Sequence, residues 1–381
     1  MTDSDSGSGY PHQGRRSVAI IGTRGYPSFY GGFETLVRKL APYLASRDWD
    51  VTVYGRPGAT VNDDDPRREG IRCITTKGIE SKSLSTLTYG ATSVIDASKR
   101  KPDVALVMNV ANGYWLPLLR ARAIPSVVNV DGIEWKRDKW STLGKAVFKI
   151  GAKLTARYGG LLIADSKEIA TFWKKYFDRD STYIAYGGDR FEKQLGAVAN
   201  LPTRGYVLFV ARLVPENTVA EFLDAAERIA QRYPVVIVGS SGSGGPFESR
   251  LRSLSNSNSS VQWLGHLADD GKLNSLWQNC GVYFHGHSVG GTNPALVQAM
   301  ACGAPILARD TVFNREVLSD AGLFVNPNCE SIVNAVEMLL SDETLQESLS
   351  DCAQKRATAA YSWDAVCAQY EATLIRAIGS R

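Results

Sequence analysis

The sequence predicts an α/β protein made of two doubly wound, Rossmann-like parallel sheets. Three observations carry that expectation. Short apolar runs recur along the 381 residues with helical stretches between them. Most of these runs are continuous rather than alternating, as strands buried on both faces are. The pattern also restarts after the linker Asn200-Leu201-Pro202-Thr203-Arg204-Gly205, and a chain this long suits two cores better than one.

The strands of the first half are read at Ser17–Gly22, Val51–Gly55, Ile71–Thr75, Val104–Met108, Ser126–Val130, Leu161–Asp165 and Tyr183–Gly187. Those of the second half are read at Tyr206–Val210, Val235–Gly239, Val261–Gly265, Gly281–His285, Pro305–Ala308 and Leu323–Val325. Strands alternating with helices argue for parallel sheets covered by helices. The expected organisation is a disordered tail over 1–15, a first domain over 16–202 and a second over 203–360, with a terminal helix over 361–381. Ligands of such sheets sit at the carboxyl ends of strands, so the expected site is a cleft where the two domains face each other.

Composition narrows the function classes. No apolar run approaches the ~20 residues that cross a bilayer. The first residues, MTDSDSGSGYPHQG, are polar and acidic, unlike a secretory leader, and a cytoplasmic location is expected. Cys73, Cys280, Cys302, Cys329, Cys352 and Cys367 show no metal spacing and read as free thiols. A net charge of +4 with scattered basic residues argues against nucleic acid. One basic and aromatic stretch stands apart: Lys136, Arg137, Lys139, Lys145, Lys149, Lys153 and Arg157 interleave with Trp135, Trp140, Val147, Phe148, Ile150 and Leu154. It suits either a peripheral contact with an anionic membrane or a solvated helix face. No metal is expected. His12 and His266 stand alone, His285 and His287 lack a nearby carboxylate in sequence, and Asn62-Asp63-Asp64-Asp65 reads as a solvated loop.

The most informative segment is His285–Pro305, HGHSVGGTNPALVQAMACGAP. A strand runs into Gly290 and Gly291, Asn293 is a good N-cap, Pro294 a good first helical residue and Gly303 a good stop. Helix-start N–H groups favour an anion, and His287 and Thr292 crowd the same turn. Ser240–Gly245 is also glycine-rich, but no Lys-Ser/Thr follows and it is not a P-loop.

Four further motifs follow strands. In GTRGYPSFYGGFE, Arg24 suits an anion, and Gly31 and Gly32 let backbone approach a ligand at a helix start. In NVDGIEWKR, Asp131 and Glu134 can orient a hydroxyl or accept its proton, or can form a capping box. In ARLVPEN, Arg212 suits a diphosphate. In DTVFNREV, Asn314 and Arg315 sit at a helix start near the same phosphates.

Together GTRGYPSFYGGFET, NVDGIEWKRDKW, ARLVPEN and HSVGGTNPALVQAM resemble, in order and over nearly the whole chain, the GT-B nucleotide-sugar glycosyltransferases of family 4. The bacterial rhamnosyltransferases of surface-polysaccharide synthesis are the subgroup that they resemble. That resemblance implies a metal-independent, retaining transferase with no cofactor beyond its nucleotide-sugar donor, TDP-L-rhamnose. It implies a glycan acceptor, polyprenyl-diphosphate-linked at the inner membrane face, on the first domain. Asp131, Glu134 and Arg212 would be catalytic. Donor binding would involve Arg24, Gly31, Gly32, Asn217, His287, Gly290, Gly291, Thr292, Asn293, Gln298 and Arg315. The terminal helix would cross back to the first domain. The family's paired glutamates fall at Gly290 and Gln298, and its lysine at Asn217. An amide at Gln298 fits a deoxyribose nucleotide. Alternatives are a hexosyltransferase using a UDP- or GDP-sugar, a nucleotide-sugar epimerase, and a catalytically silent glycan- or nucleotide-binding partner in an assembly complex.

Overall fold

The computed structural model describes residues 14–29, 31–58, 69–80, 85–137, 140–191, 194–242 and 244–380. Most of the expected tail, with His12, and also Tyr30, Asn62–Asp65, Lys139 and Ser243, lie outside the described residues.

The chain divides into two compact units. One holds Met1–Asn129, Leu154–Leu161 and Tyr370–Arg381, and the other holds Val130–Lys153 and Leu162–Gln369. Thirteen strands form two sheets among the described residues. The first sheet contains β1 (Arg16–Ile21), β2 (Trp49–Gly55), β3 (Ile71–Thr75), β4 (Val104–Met108), β5 (Ser126–Asn129), β6 (Leu161–Ala164) and β7 (Thr182–Tyr183). Its order is β3-β2-β1-β4-β5-β6-β7. The second contains β8 (Val207–Val210), β9 (Val235–Val238), β10 (Val261–Trp263), β11 (Val282–His285), β12 (Ile306–Arg309) and β13 (Leu323–Val325), in the order β10-β9-β8-β11-β12-β13. All five pairings of the second sheet are parallel. Both orders reverse direction once, between β1 and β4 and between β8 and β11, which is the doubly wound arrangement.

The apolar runs form these strands because helices cover both faces. In the second unit Phe209 of β8, Phe284 of β11 and Phe222 of the helix Val219–Ile229 stack, with ring centroids 4.4 and 5.1 Å apart around Phe222. Two adjacent strands are thereby locked to one helix, and the carboxyl ends of β8 and β11 sit side by side. In the first unit, helix α1 (Gly32–Ala45) buries Leu36, Val37, Leu40 and Leu44, spaced for one face.

The seventh strand is shorter than expected: Thr182–Tyr183 rather than Tyr183–Gly187. Gly188 N–H donates to the carbonyl of Tyr361 at 2.8 Å, and Trp363 packs where a Gly187 side chain would be. That partner is distant in sequence, so the local apolar run could not reveal it. The capping-box alternative for Asp131 and Glu134 is overturned as well. Asp131 is left-handed (φ 57°), and the turn Glu134–Lys136 has Ile133 as its N-cap with no side-chain bond.

Candidate functional site

The second unit brings the chemistry-bearing residues to the point where its strand order reverses. Arg212 follows β8 and is exposed; the 286–292 loop follows β11. That loop is held from four sides. Thr218 Oγ1 donates to Gly286 O at 2.5 Å. Asn314 Nδ2 donates to His287 O at 3.0 Å. Ser288 donates to Glu216 O, through N at 3.0 Å and Oγ at 2.7 Å. Thr292 N and Oγ1 both donate to Asp165 O.

The loop then enters the helix Pro294–Cys302, as its residues predict. Asn293 Oδ1 accepts from Ala295 N at 3.0 Å, Pro294 opens the helix, and Gly303 ends it at φ 72°. Among the described residues the N–H groups of Gly290 and Gly291 make no hydrogen bond. Gly290 is left-handed at φ 122°, which disfavours any side chain. Gly291 has an ordinary φ, but its hydrogen faces the Asp165 carboxyl, with Oδ2 only 2.6 Å from where a Cβ would sit.

The turn after β5 lies against this loop. A Cβ on Gly132 would stand 3.4 Å from Gly290 Cα and 3.1 Å from Arg137 Nη2. Arg137 is pinned by Glu134 (Nε to Oε1, 2.7 Å), and Trp140 Nε1 holds the other Glu134 oxygen at 2.8 Å. Burial opposes the Arg137 charge, yet the Glu134, Asp131, Glu216 and Asp165 carboxylates together hold its pKa above the ordinary arginine value. Asp165 itself is buried, and its Oδ1 has no hydrogen-bond partner. Burial, and then the Asp131 charge, push its carboxyl up to about 8.

The two histidines are neutral. Burial takes His285 down to about 3; its Nδ1 meets Tyr283 Oη at 2.9 Å. The His287 ring stacks on it at 4.4 Å and is lowered by burial, then by His285, Arg212 and Arg137. A neutral imidazole can still donate one hydrogen bond.

Several expected donor residues are engaged locally. Gln298 Oε1 accepts from Asp189 N at 2.9 Å, and its Nε2 faces Asp189 O at 3.3 Å. Asn217 is buried with Nδ2 on Arg212 O at 2.9 Å, tying the Arg212 turn. Arg315 forms a two-bond pair with Asp310 at 2.6 and 2.7 Å. Both Glu134 oxygens are occupied, as above. In the first unit Arg24 N donates to Glu34 Oε1 at 3.0 Å. Gly31 is the extended N-cap of α1 without a side-chain bond, and Gly32 is its first helical residue.

Sequence reasoning did not single out Asp165, Glu216 or Arg137 as site residues. Their signals were present but faint: a carboxylate closing a buried strand just before the N-cap Ser166, and charges inside motifs already quoted.

Residues 191–356 match the family model described as glycosyl transferases group 1. Residues 15–189 match a domain of unknown function, DUF1972. The chain is 24% identical over 152 residues to the O-antigen chain mannosyltransferase B of Escherichia coli, covering 39% of this chain and 40% of that one. It is 27% identical over 154 residues (40% of this chain, 39% of the relative) to the N,N'-diacetylbacillosaminyl-diphospho-undecaprenol alpha-1,3-N-acetylgalactosaminyltransferase of Campylobacter jejuni. The chain therefore spans about two fifths of the curated relatives it matches. The sucrose-phosphate synthase structure from Thermosynechococcus elongatus superposes with a TM-score of 0.78 at 18% identity, over 96% of this chain and 100% of that one. Anabaena HepE in complex with UDP-glucose superposes at 0.71 and 16% identity, over 95% and 99%. The fold is GT-B. No helix among the described residues is long and apolar enough to cross a membrane.

Proposed function

We propose that the protein is a retaining glycosyltransferase of surface-polysaccharide synthesis, and that it moves L-rhamnose from TDP-L-rhamnose to a glycan acceptor carried on a polyprenyl diphosphate. One observation carries the reading: the unbonded N–H groups of Gly290 and Gly291, ahead of an Asn293-capped helix, share a strand-order reversal with exposed Arg212. Such donors suit a diphosphate without a metal. The match of this segment to group 1 glycosyl transferases supports transfer, and the mannosyl- and N-acetylgalactosaminyltransferase relatives support a glycan product. The diphospho-undecaprenol in one relative's name supports a lipid-linked acceptor.

In the proposed step the bond from the anomeric carbon to the β-phosphate oxygen breaks. The acceptor oxygen bonds the same face of that carbon, and its proton passes to the departing phosphate. The protein supplies no nucleophile. Arg212, the loop N–H groups and neutral His287 stabilise the charge on the leaving diphosphate, while Asp131 orients the acceptor hydroxyl. The helix Thr142–Tyr158 carries no acidic residue, and its exposed side presents Leu143, Ile150, Lys149, Lys153 and Arg157. That face suits an anionic membrane surface.

The test pairs nucleotide protection with turnover. TDP should raise the melting temperature more than UDP or GDP, and TDP-L-rhamnose with a lipid-linked N-acetylglucosamine acceptor should yield a rhamnosylated product by mass spectrometry. Arg212→Ala should abolish product with the fold intact. Stronger protection by UDP or GDP favours the hexosyl reading, which the relatives' sugars and the UDP-glucose complex of HepE support. Binding without product from any donor favours a silent partner.

A further inference from the structure

Glu216 is the least explained group in the second unit. It lies in the turn Pro215–Asn217, with its carbonyl on Ser288 and its carboxylate facing the charge of Arg137. It is 8% exposed, and neither carboxylate oxygen has a hydrogen-bond partner. A buried carboxylate with both oxygens unbonded is costly, and folded proteins rarely leave one so. Arg137 offers it charge but no hydrogen bond: its Nε lies 2.7 Å from Glu134 Oε1, and both Glu216 oxygens stay without a hydrogen-bond partner. Gln298, which the sequence led one to expect at the donor, is turned to the Asp189 backbone. The loop therefore pairs a stock of anion donors with one unsatisfied acceptor pair beside them.

We propose that the Glu216 carboxylate accepts hydrogen bonds from hydroxyl groups of a nucleoside-diphosphate sugar, and so helps to set which donor is held. The inference rests on the transferase reading above. Two hydroxyl sources share this chemistry, the transferred sugar and the ribose. Two unbonded oxygens suit a vicinal diol, which a sugar ring supplies and a 2′-deoxyribose does not.

The experiment measures affinities of TDP, TDP-L-rhamnose, UDP and dUDP by calorimetry for the full chain and for Glu216→Ala and Glu216→Gln. Loss of a bond to a charged acceptor should weaken TDP-L-rhamnose about tenfold or more, with TDP unchanged, if the sugar is the partner. Weakening of UDP with dUDP unchanged assigns the ribose. A second readout separates this role from a structural one. Without ligand, Glu216→Gln keeps the side-chain shape and breaks no hydrogen bond, so its melting temperature should stay close to that of the unaltered protein. Unchanged affinities for all four ligands in both variants overturn the proposal, as does a lower melting temperature for Glu216→Gln with ligand binding intact. Failure of the unaltered protein to bind any nucleotide is seen before the variants are compared. It removes the transferase reading and this inference with it.

Discussion

Replacing Gly291 with alanine tests the architecture of the loop most directly. The added Cβ would lie 2.6 Å from Asp165 Oδ2 and in closer conflict with Oδ1 and Cγ. Because Gly291 does not have a positive φ, the backbone itself tolerates alanine and the penalty is steric. Asp165 is 3% exposed, so its carboxyl cannot swing into solvent. Overpacking of this kind costs about 1–3 kcal/mol. For a unit of this size that corresponds to a melting temperature lower by roughly 2–6 °C. Turnover should fall further than stability, on the order of 100-fold, because a shift of about 1 Å in the proposed phosphate-binding loop would misalign the donor. Asp165→Ala opens the space while keeping the backbone carbonyl that holds Thr292. The double variant should therefore recover most of the lost stability, with a coupling of about 1 kcal/mol or more. Thermal melts of the four proteins, with hydrogen exchange over 286–293, give the cycle. A Gly291→Ala protein that melts with the wild type, or strictly additive effects in the double variant, would refute the packing argument.

Two further outcomes follow from the charges. Asp165 titrates near about 8 in the folded protein, raised by burial and by Asp131, whereas a free aspartate titrates near 3.9. Between those values the folded chain holds a proton that the unfolded chain has lost. The stabilising contribution is therefore complete below the lower value and is lost as pH rises through the upper one. Asp165→Asn should remove that dependence, so its melting temperature gains on the wild type from about pH 4 to pH 8; parallel curves count against the assignment. For the helix Thr142–Tyr158, Lys149→Glu with Lys153→Glu should abolish co-sedimentation with phosphatidylglycerol vesicles and leave nucleotide binding unchanged. Each lysine near an anionic surface is worth about 1 kcal/mol, and undiminished sedimentation would identify the face as merely solvated.

Much of the molecule was legible in its sequence because the signals are local. Continuous apolar runs located the strands, with β3, β4 and β13 matched residue for residue. The Asn293, Pro294 and Gly303 signals for a capped helix depend only on neighbours within a turn, and they hold. The placing of Arg212 just past a strand end is likewise local.

Tertiary structure decided what each side chain is free to do. Gln298, Asn217 and Arg315 were expected to face a donor, but each has a protein partner: the Asp189 backbone, the Arg212 carbonyl and the Asp310 carboxylate. Asp165 stands 127 positions from Thr292 in the chain, and the carboxylate of Glu216 is sensed by an arginine far earlier in sequence. Those encounters join residues that follow strands of one sheet to residues that follow strands of the other, which only the folded chain brings together. By itself the sequence determined the strands, the caps and the glycine turn ahead of the Asn293-capped helix, through interactions a few residues apart. Only the folded sheet decided which carboxylates are buried without partners, because burial is a property of long-range packing that a short stretch of chain does not encode.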